Sequence, residues 1–261
     1  MSDAAGSVRL ERRGPVARVT FHRPEARNAM TMAMYGELRA HLATLAAADG
    51  LRAVVLRGAG GSFVAGTDIA HFTDFTSAED GVAYEAGMEE VVGALEALPV
   101  PTLAVVEGAA MGGGLILAAA CDVRLCTPDA RFGMPIARTV GHGLSVANHA
   151  RLVAHLGPGR TKAMLLLAAF LGAEEAREAG FVHQVVTPAA LDETVERLAG
   201  RMASHAPLTL RVTKEAVARV LERARPDQDD ADLLRVVYGS RDFQKGVRAF
   251  LDKGTPEWEG R

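Results

Sequence analysis

In VARVTF, from Val16 to Phe21, apolar and polar positions alternate and β-branched residues are frequent, a pattern that predicts a strand with one buried face. From Met30 to Ala48 the apolar residues return at helical spacing. AVVLRG (Ala53 to Gly58) and TLAVVEG (Thr102 to Gly108) are continuous apolar runs of strand length, as expected where helices cover both faces of a sheet. A helix is expected between them, over about Val82 to Leu98, and another directly after three glycines at 112–114. The first half of the chain is therefore an α/β alternation. From Gly143 onward the pattern is mostly helical: a short helix inside AAFLGAEEAREAGF, then separate helices in PLTLRVTKEAVARVLERA, DDADLLRVVYG and RDFQKGVRAFLDKG. This divides the chain into an α/β core over 1–200 and a helical C-terminal region over 201–261.

The glycine triplet, in EGAAMGGGLILAAACD (Glu107 to Asp122), stands at a costly place. Glycine disfavours a helix by roughly 1 kcal/mol relative to alanine, so three at a helix start imply a close approach to the backbone. One reading is an anion or developing oxyanion, held by the free amides and the positive dipole end of the first turn. Tight helix packing is the other. A second close-approach backbone lies in SFVAGTDIAHF, where Ala65 and Gly66 leave a buried segment and deliver Thr67, followed by Asp68 and Ile69. The G-x-G in RGAGGSFVAG is not read as a dinucleotide fingerprint, because Phe63 occupies the third glycine position and no helix opens there.

Composition narrows the function class. The 261 residues are 49% apolar and 23% charged, enough to bury one substantial core. A net charge of −3 without long like-sign blocks gives no reason to expect nucleic acid or an anionic membrane as partner. The first residues, MSDAAGSVRLERRG, lack the apolar core of a signal peptide, and a cytoplasmic location is expected. Cys121 and Cys126 read as reduced core residues. His142, His149 and His155 fall along one stretch without carboxylates at ligand spacing, so no metal is expected.

Six segments, in order, resemble the crotonase (enoyl-CoA hydratase/isomerase) family: RPEARNAM (Arg23 to Met30), GSFVAGTDI (Gly61 to Ile69), VEGAAMGGGLILAAACDVRL (Val106 to Leu125), FGMP (Phe132 to Pro135), GAEEAREAGFVHQVV (Gly172 to Val186) and GVRAFLDK (Gly246 to Lys253). The resemblance implies a crotonase-like spiral of ββα units with a helical C-terminal region that builds a homotrimer or hexamer and contributes a lid. It implies an acyl-CoA thioester as substrate, with coenzyme A as part of that substrate and no separate cofactor. By position, the backbone N–H groups of Thr67 and Gly113 form the oxyanion hole. Backbone around Arg27 to Ala29 and from Ala65 through Gly66 and Asp68 to Ile69 would contact the CoA moiety. Phe250 and Lys253 match positions that approach CoA. Arg27 and Lys253 also fit a plain reading as exposed basic residues.

One departure bears on the chemistry. Family hydratases use two glutamates as general acid and base, at the positions held here by Ile116 and Ile136. Isoleucine transfers no proton, so standard hydration is not expected, and the loop 137–147 supplies no acid of the kind isomerases use. Remaining candidates are Arg138, Thr139, Ser145, Asn148 and above all His142, which lies between Gly141 and Gly143 and titrates near neutrality. Asp68 is read as structural. Tyr84, Glu85, Met88 and Glu89 share a helix from which a hydroxyl or carboxylate can reach the acyl group, or which serves only as a solvated lid. The resulting expectation, from the resemblance, is an acyl-CoA-processing enzyme of the enoyl-CoA hydratase/isomerase family, a lyase or isomerase that stabilises a thioester enolate, with its exact reaction left open. Decarboxylation, thioester hydrolysis and a catalytically silent acyl-CoA-binding subunit are the alternatives.

Overall fold

The computed structural model describes residues 6–222 and 230–261. Residues 1–5 of the opening segment, and Arg223 and Ala224 at the end of one expected helix, lie outside the described residues. Strands β1 (Ser7–Arg13) and β2 (Val16–His22) form an antiparallel hairpin, and β3 (Ala53–Gly58), β4 (Thr102–Val106), β6 (Val123–Cys126) and β9 (Gln184–Val185) continue from β2 as a parallel sheet in the order β1-β2-β3-β4-β6-β9. A smaller sheet holds β5 (Ala109–Met111), β7 (Arg131–Gly133) and β8 (Phe170–Gly172) in the order β5-β7-β8.

The continuous apolar runs have their physical reason in this arrangement. In β3 and β4, Val54, Leu56, Ala104 and Val106 face one core, while Ala53, Val55, Leu103 and Val105 face another on the opposite side of the sheet. The first core is filled by α1 (Met32–Ala46), α2 (Ala78–Glu96), α3 (Gly113–Ala120) and α5 (Val146–Leu166), the second by α7 (Pro188–Ser204). A sheet covered on both faces leaves no polar face to alternate with. Helix α5 bends at Gly157, which takes φ 74° just before Pro158. The short α4 (Ile136–Thr139) and α6 (Ala173–Glu178) flank it, and α8 (Pro207–Glu222), α9 (Ala231–Tyr238) and α10 (Arg241–Leu251) complete the chain.

The last helices return to the core's active edge. Phe72, from the turn of 3-10 helix at Ile69–Asp74, and Phe75, which follows it, pack with Val140, Leu234, Tyr238, Phe243 and Val247 as a third apolar cluster. The helical region thereby packs against Phe72 and Val140, which border the cavity described below, and adds Phe250 to its lining. Both cysteines are buried and unpaired, as expected. Burial pushes each thiol up to about 12, which keeps them protonated and chemically quiet.

Candidate active site

Two irregular strand segments come together at the junction of the sheets. Met30 pairs with Thr67 and Val64 pairs with Ala110, each as a single parallel bridge. Met30 N–H donates to Gly66 O (2.8 Å) and Met30 O accepts from Asp68 N–H (2.9 Å), so the intervening Thr67 turns its own N–H to the opposite side of the ribbon. On that side the pairing with β5 ends at Met111 N–H, which donates to Val64 O. Beyond that point no further hydrogen bond joins the two backbones among the described residues, which leaves a gap in the pairing between Thr67 and the start of α3.

The glycine triplet borders the gap, and its members do different work. Gly112 adopts φ 53° and ψ −123°, a conformation closed to side-chain-bearing residues, and its N–H donates to Gly133 O. Gly113 opens the helix. A Cβ on Gly114 would lie 2.1 Å from Val64 O, so this residue admits the close packing of α3 on the 62–66 segment. The two readings of the triplet thus apply to different residues. Neither Thr67 N–H nor Gly113 N–H has a hydrogen-bond acceptor among the described residues.

Both residues line a cavity of about 140 Å³ together with Ala65, Gly66, Ile69, Ile116, Ile136, His142 and Phe250. Nine of the sequence-derived site residues therefore share one space. Arg27, Ala29, Asp68 and Lys253 do not border it. Arg27 and Lys253 are exposed, and Ala29 O accepts from Arg23. Asp68 caps the following turn through Ala70 N–H and forms an ion pair with Arg23 (2.7 Å), the structural role expected of it.

Three features of the wall were less evident from sequence. Tyr35 and Tyr84 place their hydroxyls 2.9 and 2.8 Å from Thr67 Oγ1, forming a chain of three hydroxyls beside the gap. Burial raises both phenols, Tyr35 to about 12, so they remain neutral hydrogen-bonding groups. Glu85 is fully inside: its Oε2 accepts from Ser145 N–H and its Oε1 from the Tyr238 hydroxyl, both at 3.0 Å. Burial raises its carboxyl to about 7, against the lowering effect of those two hydrogen bonds. Helix α2 had offered Glu85 and Glu89 on equal terms. Glu89 instead belongs to an ion pair with Arg151, leaving Glu85 as the acid in the cavity wall.

His142 is present in the same wall, with a changed character. Burial lowers it to about 4, and its Nδ1–H donates to Gly143 O (2.7 Å), with the Tyr238 hydroxyl 3.3 Å away. The ring stacks on Tyr238 at 5.5 Å. It is therefore a neutral imidazole near pH 7 and a weaker base than an ordinary histidine. The other two histidines of the sequence pattern are spent on backbone: His149 bonds Ser145 O and His155 bonds Ala119 O.

The sequence profile of the enoyl-CoA hydratase/isomerase family matches residues 11–261. The chain belongs to this family. Among relatives it is 32% identical over 255 residues to the short-chain-enoyl-CoA hydratase of Clostridium acetobutylicum, with 95% of each chain covered. Among solved structures it resembles an enoyl-CoA hydratase/carnithine racemase from Magnetospirillum magneticum (TM-score 0.79, 32% identity, 97% and 96% of the chains). It also resembles methylmalonyl-CoA decarboxylase in complex with 2-nitronate-propionyl-CoA (TM-score 0.88, 25% identity, 97% and 98% of the chains). The α/β crotonase fold with its helical C-terminal region is thereby shown, and the family's chemistry is that of acyl-CoA thioesters.

Proposed function

We propose that this family member binds an acyl-CoA with the thioester oxygen between the N–H groups of Thr67 and Gly113 and stabilises an enolate there. The carrying observation is that Thr67 and Gly113, whose N–H groups have no acceptor among the described residues, both line one largely apolar cavity. An enolate oxygen carries more charge than the carbonyl it comes from, so fixed donors in a dry site favour the transition state over the bound substrate. CoA itself enters as part of the substrate.

Ile116 and Ile136 argue against two-carboxylate hydration. Their apolar wall favours lyase or isomerase chemistry in which the thioester oxygen takes the charge, and loss of carbon dioxide from a 2-carboxyacyl-CoA is the simplest case. Moving that carboxylate out of water raises its energy, and the released electron pair passes to the oxygen held by the two amides. The structural likeness to a methylmalonyl-CoA decarboxylase supports this branch. The test is mass-spectrometric turnover of a panel of enoyl-CoA and 2-carboxyacyl-CoA thioesters. A folded Gly113→Pro variant, which lacks the N–H, is expected to lose roughly 10²–10³-fold in rate. Normal turnover by that variant would assign the triplet to packing alone.

A further inference from the structure

Resting on the enolate reading above, we propose that Glu85 is the catalytic acid/base of this site, exchanging a proton with the carbon next to the thioester in place of the carboxylates that Ile116 and Ile136 displace. Glu85 is a carboxylate held in the wall of the cavity that contains both oxyanion donors. Its helix α2 is fixed on the core, and the residue is 3% exposed, so it is no part of a solvated lid. Both oxygens are oriented, one by Ser145 N–H and the other by the Tyr238 hydroxyl. Each oxygen retains a further lone pair for the substrate.

The step balances without a co-reactant. As carboxylate, Glu85 takes the α-proton, the electrons of the C–H bond form the C=C bond of the enolate, and the carbonyl π-pair moves to the oxygen held by Thr67 and Gly113. In reverse, the protonated acid returns a proton to carbon. After loss of carbon dioxide only this second half is used, so the same residue serves either reaction.

The surroundings suit the role. Glu85 faces Glu89 from its own helix, Asp230 from the segment before α9, Tyr238 from α9, the neutral His142 from the loop after α4, and Tyr35 and Tyr84 beside Thr67. No cation is among these neighbours, and desolvation together with the nearby carboxylates keeps the acid half-protonated close to neutral pH. Such a group both takes and gives a proton at little cost. His142, lowered to about 4, is poorly matched to the first half of the step.

The experiment is solvent exchange of the α-protons of butyryl-CoA in deuterated water, followed by mass spectrometry, with binding of butyryl-CoA measured alongside. Wild type is expected to exchange with a rate that rises through about pH 7, and Glu85→Gln to exchange at least 10²-fold more slowly with binding retained. Tyr238→Phe removes one hydrogen bond that favours the carboxylate, so the midpoint of its pH profile is expected to move upward while exchange persists. Exchange by a folded Glu85→Gln at the wild-type rate, or a midpoint that stays in place in Tyr238→Phe and vanishes in His142→Ala, overturns the role of Glu85 and leaves the enolate reading intact. Bound butyryl-CoA that shows no exchange with wild type at any pH likewise overturns the role of Glu85, whereas a wild type that binds but turns over none of the enoyl-CoA and 2-carboxyacyl-CoA thioesters of the panel overturns the enolate reading itself.

Discussion

At the residue scale, Glu85 and His142 are buried with opposite displacements, and their effects on stability oppose each other over nearly the same pH interval. Glu85 rises from an ordinary value of 4.5 to about 7, so the folded state holds its proton more tightly and stability falls as pH rises across that window. His142 falls from 6.5 to about 4, so the unfolded state binds the proton more tightly and stability rises with pH between those values. Each contribution is roughly 3–4 kcal/mol before local relaxation, and with opposite signs the two nearly cancel. Glu85→Gln is expected to leave a stability that climbs with pH from about 4 to 6.5, and His142→Asn one that declines from about 4.5 to 7. Urea unfolding at several pH values measures both, and parallel curves for the two variants would contradict these assignments.

At the element scale, the site depends on how α2 is held. Arg151 of α5, with its side chain 1% exposed, forms ion pairs with Glu89 and Glu96 of α2 and also donates to Asn148. Replacing it by methionine leaves two partly buried carboxylates facing an apolar side chain. Removing one partner of a buried ion pair is strongly destabilising, and because both glutamates retain some solvent contact the expected loss is about 2–4 kcal/mol for Arg151→Met, read by denaturant titration. A change within 0.5 kcal/mol would show that α2 is held by apolar packing alone. The helices and buried strands that frame this contact were legible in the sequence because sheet burial and helical periodicity are local patterns. The two segments proposed to hold the oxyanion stand out in the sequence through glycine and through family resemblance, and the structure brings them to one cavity. Glu85 was only one of several candidates on its helix, since what separates it from Glu89 is the position of Arg151 some sixty residues later. Tyr35 gave no indication at all: its spacing is that of a core residue of α1, and its hydroxyl acquires meaning only where Thr67 crosses it.

At the scale of the whole molecule, apolar side chains are left in water mainly on the helical half. Leu208, Val212, Val217 and Val220 of α8 are 53–73% exposed, and Leu233 and Val236 of α9 are also exposed. Leu208, Val212 and Val220 recur at multiples of four residues, so they form a stripe along one side of α8 rather than scattered positions. Such a stripe on a surface helix is costly in a monomer and is the usual material of a subunit interface. A stripe of this kind suits a closed symmetric assembly, and the homotrimer, or hexamer of paired trimers, proposed here is the form that the family resemblance implies. Sedimentation equilibrium at micromolar concentration is expected to give three or six chain masses, and Val212→Asp together with Val220→Asp is expected to lower the assembly state while far-UV circular dichroism keeps its helical signal. A wild-type chain that sediments as a monomer would remove the assembly from the account and leave the stripe on α8 without an occupant. The proposed oxyanion donors, Glu85 and the cavity they line all belong to one chain, so the enolate chemistry proposed for them does not depend on that result.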